Sequence, residues 1–409
     1  MLHYGLAWHP ASDNLGHDLL ALAARQHLPR VDFLLDADAL DAPLPGLSDE
    51  DRVAALIPGN FLASSAHWPP EKHIAPVCVG VHITEEDAWG LPLSTLDGAG
   101  LACLRAVSPI GCRDERTVRR LQALDVPHQL TACLTLTLRR PDVPRKGGVV
   151  CCDVPQAVIS AIREYRADVD EVTHHVDAPC ADFQARMTAA EAMLRRYAEA
   201  EMVFTRRLHC AMACLAVGTP VMLLYNSQYE DIARFAPMDG MVVKQPMDTF
   251  LQQLERRGFP TPWKNPADMA FIRQRLEGAV ARGLARAETM PLPIVPQEDA
   301  ERWREQRIRR MTDSAAAKIH RLENQQYEDL HRKFSLLLRE DSAKATLTEL
   351  LALPQVQKAL RKAALDKQLA DQPLTRRLKL RWQARHDPEL TGGLIQEARE
   401  ALELLGWPD

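Results

Sequence analysis

Two blocks of short apolar segments alternating with amphipathic stretches flank Arg139-Arg140-Pro141-Asp142-Val143-Pro144-Arg145-Lys146-Gly147-Gly148, a run rich in charge, Pro and Gly. Apolar runs of this length are too short for buried helices, and the helical stretches between them supply the crossovers of parallel-sheet units. In the first block the pattern predicts strands at Leu2–Ala7, Val31–Leu35, Val53–Ile57, Val77–Ile83 and Leu104–Val107. Helices are expected there over Leu19–Gln26 and Arg116–Leu124, the latter stopped by Asp125-Val126-Pro127. In the second block, strands are expected at Val149–Cys152, Met202–Thr205 and Val221–Tyr225, and helices at Phe183–Ala198 and Cys210–Val217. The expected fold class is α/β, with two Rossmann-like lobes over residues 1–142 and 143–295 and a cleft between them. Past the Pro-rich Met290–Pro296 the strand signals stop, and residues 296–409 read as a helical extension.

A chain of 409 residues is too long for one ordinary core, which agrees with a multidomain reading. The net charge of -5 argues against a surface that is one nucleic-acid footprint, so no nucleic-acid partner is expected. That average hides a basic extension: residues 297–385 hold 20 Lys and Arg against 13 Asp and Glu. The first residues show no basic stretch followed by a long apolar run, and no uncharged apolar segment approaches a membrane span. Nine cysteines occur without a C-x-x-C pair, so neither a zinc knuckle nor a disulfide framework is indicated. A reducing, cytoplasmic setting is the expectation.

Chemistry concentrates in three places. In EMVFTRRLHCAMACLAVGTPVMLLY a strand ends at Thr205, and Arg206, Arg207 and His209 fall where the next helix begins. Free N–H groups at a helix start favour an anion, two guanidiniums reinforce it, and an imidazole there can move a proton. An exposed Arg pair beside a packed His accounts for the same residues about as well. In SPIGCRDERT, Pro-x-Gly is expected to turn the chain after a strand and present Arg113 before a helix, with Asp114 or Glu115 as a cap. Capping is the commoner use of such acids. The loop Asp13-Asn14-Leu15-Gly16-His17-Asp18 joins the first strand and helix; it has one Gly and is no dinucleotide fingerprint. Histidines gather at His67, His73 and His82 and at His174-His175, but none has ligand spacing in a supporting context, so no metal is expected. G-x-S-x-G elbows and P-loops are missing too.

Together these stretches resemble the polysaccharide pyruvyl transferase family. SPIGCRDERTVRRLQALDVP followed by TACLTLTL looks like the family's Arg-Asp motif, helix and next strand, and YAEAEMVFTRRLHCAMACLAVGTPVMLL looks like its Arg-Leu-His segment. DNLGHDLLALAARQHLPRVDFLLD resembles its N-terminal Asn-x-Gly-Asp loop and helix, the similarity running over roughly residues 1–245. Here the chain departs from the pattern: Gly16-His17-Asp18 stands where Gly-Asp is usual.

The resemblance implies a fold like that of two-lobed GT-B glycosyltransferases and transfer of the pyruvyl skeleton of phosphoenolpyruvate to two hydroxyls of a sugar. It implies Arg113 and Arg207 as holders of the donor's phosphate and carboxylate, with Arg206, Asn14 and Asp18 as further substrate-binding candidates. His209 would protonate the methylene carbon, and Asp114 would position Arg113 or accept a hydroxyl proton. No cofactor is needed beyond phosphoenolpyruvate as donor. The acceptor would be a saccharide, free or lipid-linked. The basic stretch LTRRLKLRWQARHD suits either an anionic membrane surface, peripheral to the inner membrane, or self-association into a homo-oligomer. Two other readings stay open: a nucleotide-sugar glycosyltransferase on the same frame, and a catalytically silent scaffold. Asp231 and Arg234 form no clear diphosphate-ribose signature for the former.

Overall fold

The computed structural model describes residues 1–60, 67–84, 97–176, 182–227, 232–266, 269–306 and 309. Most of the basic extension therefore lies outside the described residues, as does Asp231. The described part is a mixed α/β protein with two parallel sheets. The first sheet has strands β1 (Leu2–Trp8), β2 (Phe33–Asp36), β3 (Arg52–Asn60), β4 (Ile74–His82), β5 (Ile110–Cys112) and β6 (His128–Leu130). Their order is β2-β1-β3-β4-β5-β6. The second sheet has β7 (Val149–Cys152), β8 (Val169–Val172), β9 (Met202–Thr205), β10 (Val221–Tyr225) and β11 (Val243–Pro246), in the order β11-β10-β9-β7-β8. Every pairing in both sheets is parallel.

Helix α1 (Leu15–Arg25) is almost entirely buried, as expected of the apolar run Leu19 to Ala24. It packs on α5 (Phe183–Glu199) and α6 (Leu208–Ala216), so one apolar core passes from the first sheet into the near face of the second. The far face of the second sheet has its own core, in which Phe204 of β9 is covered by α4 (Gln156–Arg163) and by Phe250 and Leu254 of α7 (Met247–Arg257). Helix α8 (Met269–Thr289) returns to the first sheet and lies over β3 and β4. A Cβ at Gly283 would come 2.5 Å from Val77 Cγ1, so only glycine allows that approach. The charged run between the blocks is ordered against the second sheet. Arg140 donates to the Val217 and Ala198 carbonyls, and Arg145 to those of Ala200 and Gly218, satisfying acceptors at the ends of α5 and α6. Among the described residues no helix is long and apolar enough to cross a membrane.

Three sequence expectations are corrected. Leu104–Val107 is not a strand; Leu104 lies in α2 (Gly98–Ala106) and Val107 is its C-terminal cap. Cys103, Leu104 and Val107 are buried while Arg105 and Ala106 are exposed, a helical period in a run too short to betray it. Pro109-Ile110-Gly111 does not turn the chain: it enters β5 directly. Gly111 is required by close neighbouring strands, since a Cβ there would sit 3.0 Å from Val79 Cα and from Thr131 Cγ2. In TACLTLTL the regular element is a 3-10 helix, Leu134–Thr137, and the strand is the preceding His128–Leu130. The helix at 297–306, where the extension begins, sets Trp303 against Gly98 and Gly100 of α2.

Candidate functional site

The candidate groups follow the carboxyl ends of strands, where open parallel sheets bind ligands. In the first sheet these are His9 and the Asn14–Asp18 stretch after β1, Asp38 after β2, His82 ending β4, and Arg113 after β5. In the second they are Asp153 after β7, His174 after β8, and Arg206 and Arg207 after β9. The loops from the two sheets meet. Leu15 N donates to His174 O at 2.8 Å and Val176 N to Asp13 O at 2.8 Å, closing an antiparallel bridge between Asn14 and His175.

Each predicted residue now has a position. Asn14 caps α1, its Oδ1 accepting from Gly16 N at 2.9 Å. Asp18 is buried and accepts from Arg186 Nε and Nη2 at 3.0 and 2.8 Å, through one carboxylate oxygen, which ties α1 to α5. Asp114 caps α3 (Glu115–Ala123), accepting from Thr117 N at 2.9 Å, and its other oxygen lies 2.5 Å from His82 Nδ1. Burial opposes the Asp114 charge, but the hydrogen bond and charge of His82, the Thr117 N–H and the Arg113 guanidinium together hold its carboxyl well below the usual range. Arg113 stands 3.5 Å from Asp114.

Arg207 is the N-cap of α6 and its side chain does not cap the first-turn N–H groups of that helix. Asp153 accepts from Arg207 Nε at 2.7 Å while the Arg207 side chain keeps 36% of its surface exposed, so the guanidinium is oriented and reachable. Asp153 itself adopts a φ of 52°, unusual for a non-glycine residue, and also accepts from Thr173 Oγ1 and His174 N. Arg206 is half-buried alongside.

His209 occupies the first turn of α6 and meets α1 edge-on. The His17 and His209 rings are 6.1 Å apart, His9 and His17 4.7 Å apart, and His17 Nδ1 lies 2.8 Å from Ser12 Oγ. Burial, then the charge of Arg113 and the neighbouring imidazoles, drives the His209 pKa well below the ordinary value. Burial and the charges of His9, Arg113 and Arg186 lower that of His17 to about 4, with Asp38 opposing. Both imidazoles are thus neutral at pH 7. Arg113 from the first sheet thus acts electrostatically on His209 from the second, while Arg207 is held by Asp153.

His9, His82, Asp153 and His174 were not singled out as site residues from the sequence. His9 and Asp153 follow predicted strands by two residues and one, His82 lies inside a predicted strand, and His174 follows β8, which the sequence pattern does not predict. Gly16 is explained by the same packing. A Cβ there would lie 2.9 Å from His209 Nδ1 and 3.1 Å from His209 Cβ. Gly16→Ala is therefore expected to displace His209 and lower turnover at least 10-fold, with a misplacement of about 1 Å enough for that loss. Steady-state kinetics checks this, with unchanged circular dichroism as the folding control.

The fold and site define a two-sheet parallel α/β protein with basic and imidazole side chains gathered at its strand ends. Residues 101–228 match the family model described as polysaccharide pyruvyl transferase. The match includes Arg113, Asp114, Arg206, Arg207 and His209 and leaves out the Asn14–Asp18 stretch. No curated protein matches the chain. Among solved structures, a functionally uncharacterized protein from Klebsiella pneumoniae subsp. pneumoniae NTUH-K2044 is similar at 13% identity and a TM-score of 0.33, covering 57% of this chain and 87% of that one.

Proposed function

We propose that this protein transfers a pyruvyl group from phosphoenolpyruvate to two hydroxyls of a saccharide, closing a pyruvate ketal and releasing phosphate. One observation carries the reading: within the family-matched segment, Arg113 follows a strand of one sheet, Arg207 and His209 follow a strand of the other, and Arg113 acts electrostatically on His209. In this reading the two sheets correspond to the lobes of a GT-B-like glycosyltransferase frame.

The donor carries a phosphate and a carboxylate, and each guanidinium holds one of them. The uncapped start of α6 adds backbone N–H donors to the anion beside Arg207. His209, which takes up a proton as the anionic donor binds, delivers it to the methylene carbon, which becomes the methyl group. A sugar hydroxyl then adds to the carbon bearing the phosphate. Loss of phosphate with the C–O bonding pair regenerates an electrophilic centre, and the second hydroxyl closes the ketal. One hydroxyl proton restores His209, and the other leaves with phosphate.

The test uses purified protein, phosphoenolpyruvate and a panel of free and lipid-linked glycosides. A thermal shift with phosphoenolpyruvate and acceptor-dependent phosphate release are expected. Arg207→Ala should weaken the donor by about 10- to 150-fold, the cost of losing a charged hydrogen-bonding group. A shift with a nucleotide sugar and none with phosphoenolpyruvate would overturn the reading in favour of glycosyl transfer.

A further inference from the structure

Beneath this site lies a side-chain cluster that the proposed reaction does not use. Cys152 ends β7, His174 follows β8 and Cys210 sits in the first turns of α6, with exposures of 0%, 1% and 0%. Their ligand atoms, one per side chain, all lie within 4.8 Å of one another. Buried thiols alone would need no explanation, because free cysteine packs as a small hydrophobe. The imidazole does need one. His174 Nε2 is 2.7 Å from the Tyr197 hydroxyl, whereas His174 Nδ1 is buried without a hydrogen-bond partner. A buried polar atom left unsatisfied is costly and points to a missing ligand.

We propose that Cys152, His174 and Cys210 form a binding site for a divalent thiophilic cation of the zinc type. The donors suit it: two thiolates and an imidazole are a soft set that hard cations such as magnesium or calcium do not take. Charge suits it as well. A dication with two thiolates and a neutral imidazole sums to zero, the only total that a water-free pocket holds without a large desolvation cost. A monovalent ion on the same donors would bury a net negative charge.

The surroundings complete the site. A histidine bound to metal through one nitrogen donates its other N–H to a second partner, which fixes the ring. Tyr197 is placed for this: it can accept from His174 Nε2 and donates its own hydroxyl to Cys152 Sγ at 3.5 Å. Tyr197 is itself fully buried. Cys214, one helical turn beyond Cys210 and hydrogen-bonded to it, is a further soft donor alongside. Loading the site breaks two S–H bonds, forms two metal–sulfur bonds and releases two protons, with no change of oxidation state. The ion would tie β7, β8 and α6 together under Asp153, Arg207 and His209, a structural role. The three ligands are dispersed along the sequence, so local spacing conceals them.

The test uses the full chain, purified under reducing conditions, stripped with a chelator and titrated with Co2+. Expected results are one equivalent bound, thiolate-to-cobalt charge-transfer absorption, release of about two protons per metal, and displacement by Zn2+. Cys152→Ala and Cys210→Ala should each abolish the band, and Tyr197→Phe should weaken binding by about 10-fold or more. Cys103→Ala, a buried thiol in α2, should leave the band unchanged. Should the alanine variants fail to fold, X-ray absorption on the unmutated cobalt-loaded chain should show at least two sulfur neighbours and one nitrogen. An oxygen-and-nitrogen shell would overturn the proposal. So would a band that survives the Cys152→Ala/Cys210→Ala double variant, or no binding by chain whose thiols titrate as fully reduced. Recovery of a Cys152–Cys210 disulfide from reduced, re-oxidised chain that never binds cobalt would overturn it as well.

Discussion

Alanine in place of His209 is expected to lower acceptor-dependent phosphate release by about 100- to 10,000-fold, the usual contribution of a positioned general acid. Phosphoenolpyruvate should still stabilise the variant, because Arg113, Arg207 and the start of α6 remain. Partial rescue by added imidazole would distinguish lost proton transfer from lost positioning. Loss of binding with turnover unchanged at saturation would contradict the assignment. The imidazoles also set a pH signature. His17 is held at about 4 by burial and by the charges of His9, Arg113 and Arg186, and His209 is lowered by the same kinds of effect. An incoming anion of several charges favours the protonated ring, so donor binding raises these pKa values. A group whose pKa rises on binding takes up a proton between its free and bound values, and affinity falls as pH climbs past the bound one. Net proton uptake should therefore accompany phosphoenolpyruvate binding at pH values above the free His17 value of about 4, and His17→Asn should reduce it. Calorimetry in buffers of differing ionisation enthalpy measures that uptake, and a value of zero would remove the imidazoles from the donor's neighbourhood.

The fold was legible wherever strands are buried on both faces. Val149–Cys152, Met202–Thr205 and Val221–Tyr225 coincide with β7, β9 and β10, because continuous apolar runs between turn residues leave little else to form. It failed where four residues serve either geometry, as at Leu104–Val107, and where β8, β11, α4 and α7 carry mixed polarity and gave no clear period. In the site, Arg113, Arg207 and His209 stand out because they fall at expected helix starts, where an anion is favoured, and within the segments that resemble the family. Asp153 and His174 do not, since their meaning comes from contacts 54 and 21 residues away in sequence: Asp153 with Arg207, and His174 N with Asp153. In the sequence His17 is a departure from a motif, whereas in space its ring sits between those of His9 and His209, edge-on to the latter.

Removing one half of the Asp18–Arg186 pair should produce the largest change in stability. Both side chains are almost completely buried, at 1% and 3% exposure, and both guanidinium bonds go to the same oxygen, Asp18 Oδ2. Asp18→Ala would leave a guanidinium charge in the core between α1 and α5, which costs about 3–5 kcal/mol. The double variant Asp18→Leu/Arg186→Met removes both charges, and its stability should return to within about 1 kcal/mol of the parent or exceed it. Urea unfolding measures both, and a cost below about 1 kcal/mol for Asp18→Ala would mean that the junction is wet. The same pair decides what Asp18 does. The family resemblance places it among the substrate-binding residues, yet its carboxylate is buried in the helix junction and bonded to Arg186. A double variant that folds well and still binds phosphoenolpyruvate would make the acid a device for holding α1 in place. Its work would then be to keep Gly16 and His17 against His209, and binding would suffer only when that packing loosens.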